Sequence, residues 1–189
     1  MFQLINLTKL TSSYRSKLII RVFHRWLKDR EKILDVGCGN GIVTKLLISQ
    51  IGIKATGCDI RNYLIYDDIP FVRIKNNKLP FSKKKFDALL LIDVLHHLPF
   101  EKQENLIQES LRVANKVLIF EAKPTIAGKL ADIILNKYHY GNLKTPLSFR
   151  DINNWKILFK KLSLKYRTAT LDKPFWYPFS HIAFVIQKV

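Results

Sequence analysis

Acidic residues, cysteine and long apolar runs are the scarce features of this 189-residue chain, with 15 Asp and Glu, two Cys and seven Gly in all. Two cysteines, Cys38 and Cys58, are too few for a disulfide framework. Neither has partners at ligand spacing, so no zinc site is expected, and a free, reduced thiol in the cytoplasm is the simplest reading of each. No apolar stretch is long enough to cross a bilayer; the best, 86–98, contains Asp87, Asp93, His96 and His97. The first residues lack the charged start, apolar centre and small-residue cleavage site of a secretory leader, and the expected location is cytoplasmic. There is no internal repeat, low-complexity tract or interdomain linker, so one domain over residues 1–189 is expected.

The residues that are abundant carry two messages. Apolar residues make up 48% of the chain, enough for a sizeable core at this length. Lys and Arg number 32, giving a net charge of +17. Functionally, that charge suits nucleic acid or an anionic membrane surface. Compositionally, the lysines are spread along a chain also rich in Ile and Asn, as in proteins from AT-rich genomes.

Three of the seven glycines fall within five residues, in Ile33-Leu34-Asp35-Val36-Gly37-Cys38-Gly39-Asn40-Gly41. An apolar run passes through an acidic residue into a glycine loop, and a helical pattern, 42–51, follows at once. Strand, loop and helix in that order bring a backbone without side chains up to a ligand, beside the unpaired N–H groups of a helix start. A dinucleotide fingerprint needs a third glycine where Ile42 stands, and a P-loop needs Lys-Ser or Lys-Thr after Gly41, where Ile42-Val43 follow. Asp35 suits a cationic ligand better than a pyrophosphate.

Around this stretch the pattern alternates. Residues 1–13 carry no strong period and read as a loose arm, and 14–28 as a basic amphipathic helix, 1–30 together forming an N-terminal arm and helix. Strands are expected at 32–36, 54–59, 71–75, 86–93, 116–121, 164–171 and 181–187, and helices at 42–51, 100–113 and 126–138. A further helix follows Ser148, an expected N-cap with Asp151 three residues on. The segment 61–70 has no room for a crossover helix. The last two strands share a loop too short for a parallel crossover, so the α/β sheet should end in an antiparallel hairpin. Asp59 closes the second strand, where ligands of open parallel sheets bind, and an acidic residue there can accept both hydroxyls of a ribose.

The glycine segment resembles motif I of the class I S-adenosylmethionine (SAM) dependent methyltransferases. Leu79-Pro80-Phe81, Phe86-Asp87 and Ile92-Asp93-Val94-Leu95-His96-His97-Leu98 are similar to the matching string of the small, type-11-like methyltransferase subfamily. The resemblance implies a Rossmann-like, doubly wound, mostly parallel seven-stranded sheet with SAM as cofactor. It implies cofactor contacts from Asp35, Gly37, Cys38, Gly39, Gly41, Asp59, Ile60 and Asp93. The family's usual adenine-contacting aspartate is replaced by Lys75, a donor only, which leaves Asn76 or a backbone oxygen to accept. The turn before the fifth strand is shortened to Ala114-Asn115-Lys116. Proton-accepting candidates are His96, His97 and His139, since neutral imidazole is a fit base near pH 7.

The expected activity is methyl transfer to a small-molecule or lipid-like acceptor by in-line displacement. The acceptor pocket, or substrate cap, is expected from 124–149 and 172–180, with His139-Tyr140-Gly141 and Phe175-Trp176-Tyr177 as candidate groups; hydrophobic cover over the sheet is the alternative role for these aromatics. The C-terminal His181-Ile182-Ala183-Phe184-Val185 resembles the last strand of a subset of these methyltransferases. Two other functions stay open: an RNA methyltransferase, favoured by charge and aromatics, and a methyltransferase-fold binding protein without activity.

Overall fold

The computed structural model describes residues 2–75, 78–140, 146–171 and 173–189, and the side chains of these except 2–11, 132 and 135–140. Helix α1 (Phe2–Phe23) leads into β1 (Lys32–Val36), α2 (Ile42–Ile51), β2 (Lys54–Asp59), β3 (Phe71–Arg73) and β4 (Phe86–Ile92). Then follow α3 (Phe100–Val113), β5 (Ala114–Ala122), α4 (Ile126–Tyr140), α5 (Ile152–Lys161), β6 (Leu164–Thr170) and β7 (His181–Lys188). The seven strands form one sheet in the order β3-β2-β1-β4-β5-β7-β6. Strands β1 to β5 pair in parallel, and β7 runs antiparallel to both β5 and β6.

The central strands are apolar on both faces because helices cover both. Alternate residues of β4 and β5 separate cleanly. Ala88, Leu90, Leu118 and Phe120 join Leu18, Ile19, Phe23 and Leu47 from α1 and α2. Leu89, Leu91, Val117 and Ile119 pack instead against Ile107 and Leu111 of α3 and Trp155, Leu158 and Phe159 of α5. This is the period of two expected of a strand sandwiched between helical layers.

Three local expectations need correction. The first helix does not begin near residue 14: α1 extends back to Phe2, so 1–13 is not a loose arm. No glycine or proline interrupts residues 2–13, and elongating a formed helix is far easier than nucleating one. Ala114-Asn115-Lys116 is not a turn, because α3 passes straight into β5 with Ala114 as its C-cap. The cap of α5 is Asp151, whose carboxylate accepts from Asn154 N at 2.8 Å. Ser148 is held elsewhere: its N–H donates to His96 O and its carbonyl accepts from Gln103 Nε2, both at 2.8 Å.

Candidate functional site

The carboxyl ends of β1, β2 and β4 open into a cavity of about 380 Å³. The glycine loop forms its floor. Gly37 N donates to Cys58 O at 2.7 Å, tying the loop to the neighbouring strand. Gly37 sits at φ +75°, and a Cβ there would lie 2.4 Å from a methyl of Val94, so both backbone and space require glycine. Gly41, at φ +77°, stands at the start of α2 and faces Leu64 and Ile69 rather than the cavity. Its part is to turn the chain into the helix.

Asp35 is 2% exposed. Its Oδ2 accepts from Thr44 Oγ1 at 2.6 Å, while Oδ1 has no hydrogen-bond partner among the described residues. Burial drives its pKa up to about 6; the Thr44 hydroxyl and Arg15 oppose the rise and Asp59 adds to it. Asp59 accepts from Gly39 N at 3.0 Å and from Ile60 N at 2.7 Å, one bond to each oxygen. Its pKa is also raised, by burial against those backbone donors. Each of its oxygens keeps acceptor capacity for a further hydroxyl. Cys38 packs its sulfur over Gly57, and burial pushes both the Cys38 and Cys58 thiols up, the latter to about 12, so neither is a thiolate at neutral pH.

The opposite wall is built around Asp93. Its backbone lies in the left-handed region, φ +52°, unusual for a side chain with a Cβ. Arg15 crosses from α1 and donates from Nε to Asp93 Oδ2 at 2.6 Å. Burial raises the Asp93 pKa, but Arg15 and the two histidines outweigh it and hold the carboxyl below its usual range. His181 approaches the other oxygen at 4.0 Å. Burial presses the His181 pKa down to about 4, so it is a neutral imidazole near pH 7 and Arg15 is the cation that pairs Asp93.

Glu121, 1% exposed at the end of β5, ties this wall together. One oxygen accepts from Val94 N and Leu95 N at 3.0 and 2.7 Å; the other meets His96 Nδ1 at 2.6 Å. The His96 ring is further stacked on Phe149, 4.6 Å away.

Of the residues singled out from sequence, Asp35, Gly37, Cys38, Gly39, Asp59, Ile60, Asp93, His96 and His97 line the cavity. Asn76 and the side chain of His139 lie outside the described residues, as do Gly141 and the side chain of Tyr140. Lys75 is exposed, beside Ile60, Arg61 and Arg73 in a separate shallow hollow. Within 172–180, Phe179 reaches the cavity wall, Tyr177 is buried beneath it and Phe175 is 97% exposed. Arg15, Tyr63 and His181 join the lining without having been singled out for it. Thr44 and Glu121 were missed as their supports.

A family model described as a methyltransferase domain matches residues 34–117. This match supports a class I SAM-dependent methyltransferase. Curated methyltransferases similar to it include the sterol 24-C-methyltransferase of Gibberella zeae, 31% identical over 85 aligned residues, covering 39% of this chain and 22% of that protein. The demethylmenaquinone methyltransferase of Tropheryma whipplei is 32% identical over 77, covering 36% of this chain and 31% of that protein. The match thus spans less than a third of either relative. Among solved structures, a SAM-dependent methyltransferase of Methanosarcina mazei superposes with a TM-score of 0.65 at 18% identity, covering 89% of this chain and 97% of that one. At that identity the likeness shows the methyltransferase fold.

SAM is the cofactor of this methyltransferase family, and the cavity suits its chemistry. A buried carboxylate oxygen at Asp35 lacks a hydrogen-bond partner, which a cationic group would supply. The loop backbone is bare enough for close approach, and Asp59 stands at the end of β2 with acceptor capacity to spare.

Proposed function

We propose that the protein transfers a methyl group from SAM to a small, hydrophobic, lipid-like acceptor. The observation that carries this is the division of one cavity into two chemistries. The side at β1 and β2 presents the bare loop with Asp35 and Asp59; toward β5 and β7 the lining adds the apolar Ala122 and Phe179 beside His181. The named relatives act on a sterol and on demethylmenaquinone, both apolar, which supports an apolar acceptor here.

The sulfonium supplies an already activated methyl group, so the chain has little bond-making chemistry to perform. Asp35 would hold the ammonium end and Asp59 the ribose hydroxyls, with the Gly37–Gly41 backbone lying along the chain between them. Asp93, fixed by Arg15, borders the place where the two ends of the cavity meet. The apolar wall orients the acceptor and excludes water, which leaves alignment as the main source of rate. If the attacking atom bears a proton, His96 is the group placed to take it. Its Nδ1 is engaged by Glu121, so transfer would run through Nε2, and the Glu121 carboxylate would stabilise the imidazolium that forms.

Calorimetric titration of SAM into wild type and Asp59→Ala tests the cofactor assignment. Loss of a charge-assisted contact should weaken binding by roughly 1.5–3 kcal/mol. Absence of binding to the wild type would sink the enzyme reading and favour a methyltransferase-fold binding protein.

A further inference from the structure

Helix α4 leaves an apolar face uncovered. Ile126 is 82% exposed, Leu130 58%, Ile133 51% and Ile134 58%. Their spacing of four, three and one places them on a single side of the helix. The other side is anchored: Gly128 is buried with the Phe179 ring close against it, and Ala131 packs on the core beside α1. The face is therefore held in place by the fold, with nothing in the described structure covering it.

Its position is specific. At the start of α4, Lys123 N donates to Ser180 O at 2.7 Å, so the helix adjoins the 172–180 loop. That loop carries Phe175, 97% exposed, on the outside and Phe179 on the cavity wall. Ala122, Phe179 and His181 line the cavity from this side. The helix that carries the exposed apolar face is thus seated on Phe179, a wall residue of the cavity.

We propose that α4 and the 172–180 loop dock the protein on an anionic bilayer, so that a lipid-soluble acceptor enters the cavity from the membrane. This deepens the proposed function and rests on its hydrophobic acceptor. The charge supports the choice of partner: a net charge of +17 is attracted to an anionic lipid surface. So does the form of the patch, a basic chain carrying an amphipathic helix whose apolar side has no protein partner. No described helix is long and apolar enough to cross a membrane, so α4 would lie in the interface plane. An RNA surface fits less well, since aliphatic side chains on a helix offer bases neither stacking planes nor hydrogen bonds.

The test is sedimentation of the full chain with vesicles of phosphatidylcholine alone and of phosphatidylcholine mixed with phosphatidylglycerol. Wild type should partition onto the mixed vesicles and far less onto the neutral ones. Leu130→Glu with Ile134→Glu should weaken that partitioning at least roughly tenfold, because two apolar contacts are withdrawn and two negative charges added. The substituted positions are exposed, so the unfolding temperature and SAM affinity should stay at wild-type values; Leu130→Ser alone gives a milder second variant with a smaller loss. Absence of wild-type binding to the mixed vesicles, or equal binding by the variants, would overturn the proposal. So would a lipid-free dimer that the substitutions dissociate without altering vesicle binding, which would assign the face to a second copy. Tighter binding to an RNA oligonucleotide than to vesicles, lost in the same variants, would overturn it in favour of nucleic acid. Vesicle binding by a protein that takes up no SAM would leave the docking face standing and defeat the methyl-transfer reading instead.

Discussion

Asp35 should be a residue that the empty protein would be more stable without. Its pKa of about 6, against 3.8 for an unperturbed aspartate, is set first by burial. That displacement corresponds to about 3 kcal/mol of cost for holding the carboxylate ionised in the fold. The sign follows from proton binding: the folded state holds the proton more tightly than the unfolded chain. The contribution of Asp35 to the stability of the unliganded protein should therefore decline as pH rises from about 4 through about 6. Asp35→Asn keeps an acceptor for the Thr44 hydroxyl and removes the charge, while its amide hydrogens need partners of their own. At pH 7.5 the net expectation is a gain of about 1–3 kcal/mol, or roughly 3–10 °C in unfolding temperature. SAM affinity should move the other way, falling about ten- to a hundredfold with the loss of a charged contact. In wild type, affinity should weaken as pH drops below about 6 and Asp35 takes up its proton, and Asp35→Asn should lack that dependence. Thermal unfolding with and without SAM, from about pH 5 to 8, together with calorimetry, reads both quantities. A variant less stable than wild type at pH 7.5, or a wild-type affinity flat across that range, would refute the assignment of Asp35 as a buried carboxylate awaiting a cation.

Other perturbations separate positioning from packing. Glu121→Ala should cost about 3 kcal/mol or more in urea unfolding, since it strands Val94 N, Leu95 N and the His96 ring in a buried setting. Glu121→Gln should recover much of that stability by keeping an acceptor for the two amides, yet lower kcat if the imidazolium needs the carboxylate. Gly37→Ala should lose about 2 kcal/mol or more, from a left-handed backbone with a Cβ and from contact with Val94, visible as a lower unfolding temperature and weaker SAM binding.

The parts of the fold legible in the sequence are those in which one strip of chain decides its own burial. The runs at 86–93 and 116–121 read as buried strands because most of their residues are apolar, although the second begins two residues earlier than expected, and 100–113 reads as a helix from its period. The reversed final strand followed from a loop too short to cross over. The strap across the site was not legible. Arg15 looked like any basic residue on an amphipathic helix, and only the packing of α1 over β4 carries it to Asp93. Glu121 looked like the end of a strand, and its three hydrogen bonds reach 25 to 27 residues back along the chain. Thr44 carried a faint signal, a hydroxyl in the first turn after the glycine loop. The early start of α1 escaped because residues 2–13 lack a clear period, although nothing in them breaks a helix.

The cavity wall divides between residues that the methyltransferase-domain match covers and residues that it does not. The matched segment, residues 34–117, carries the glycine loop, Asp59 and Asp93, whereas Arg15, Ala122, Phe179 and His181 lie outside it. Substitutions at Ala122 and Phe179 can accumulate without touching Asp35, Asp59 or the glycine loop, whereas Arg15 and His181 are tied to Asp93. Such a molecule can change what it modifies while keeping what it modifies with, so new acceptors become reachable by drift at Ala122 and in the 172–180 loop. Ancestry would then be written at one end of the pocket and occupation at the other.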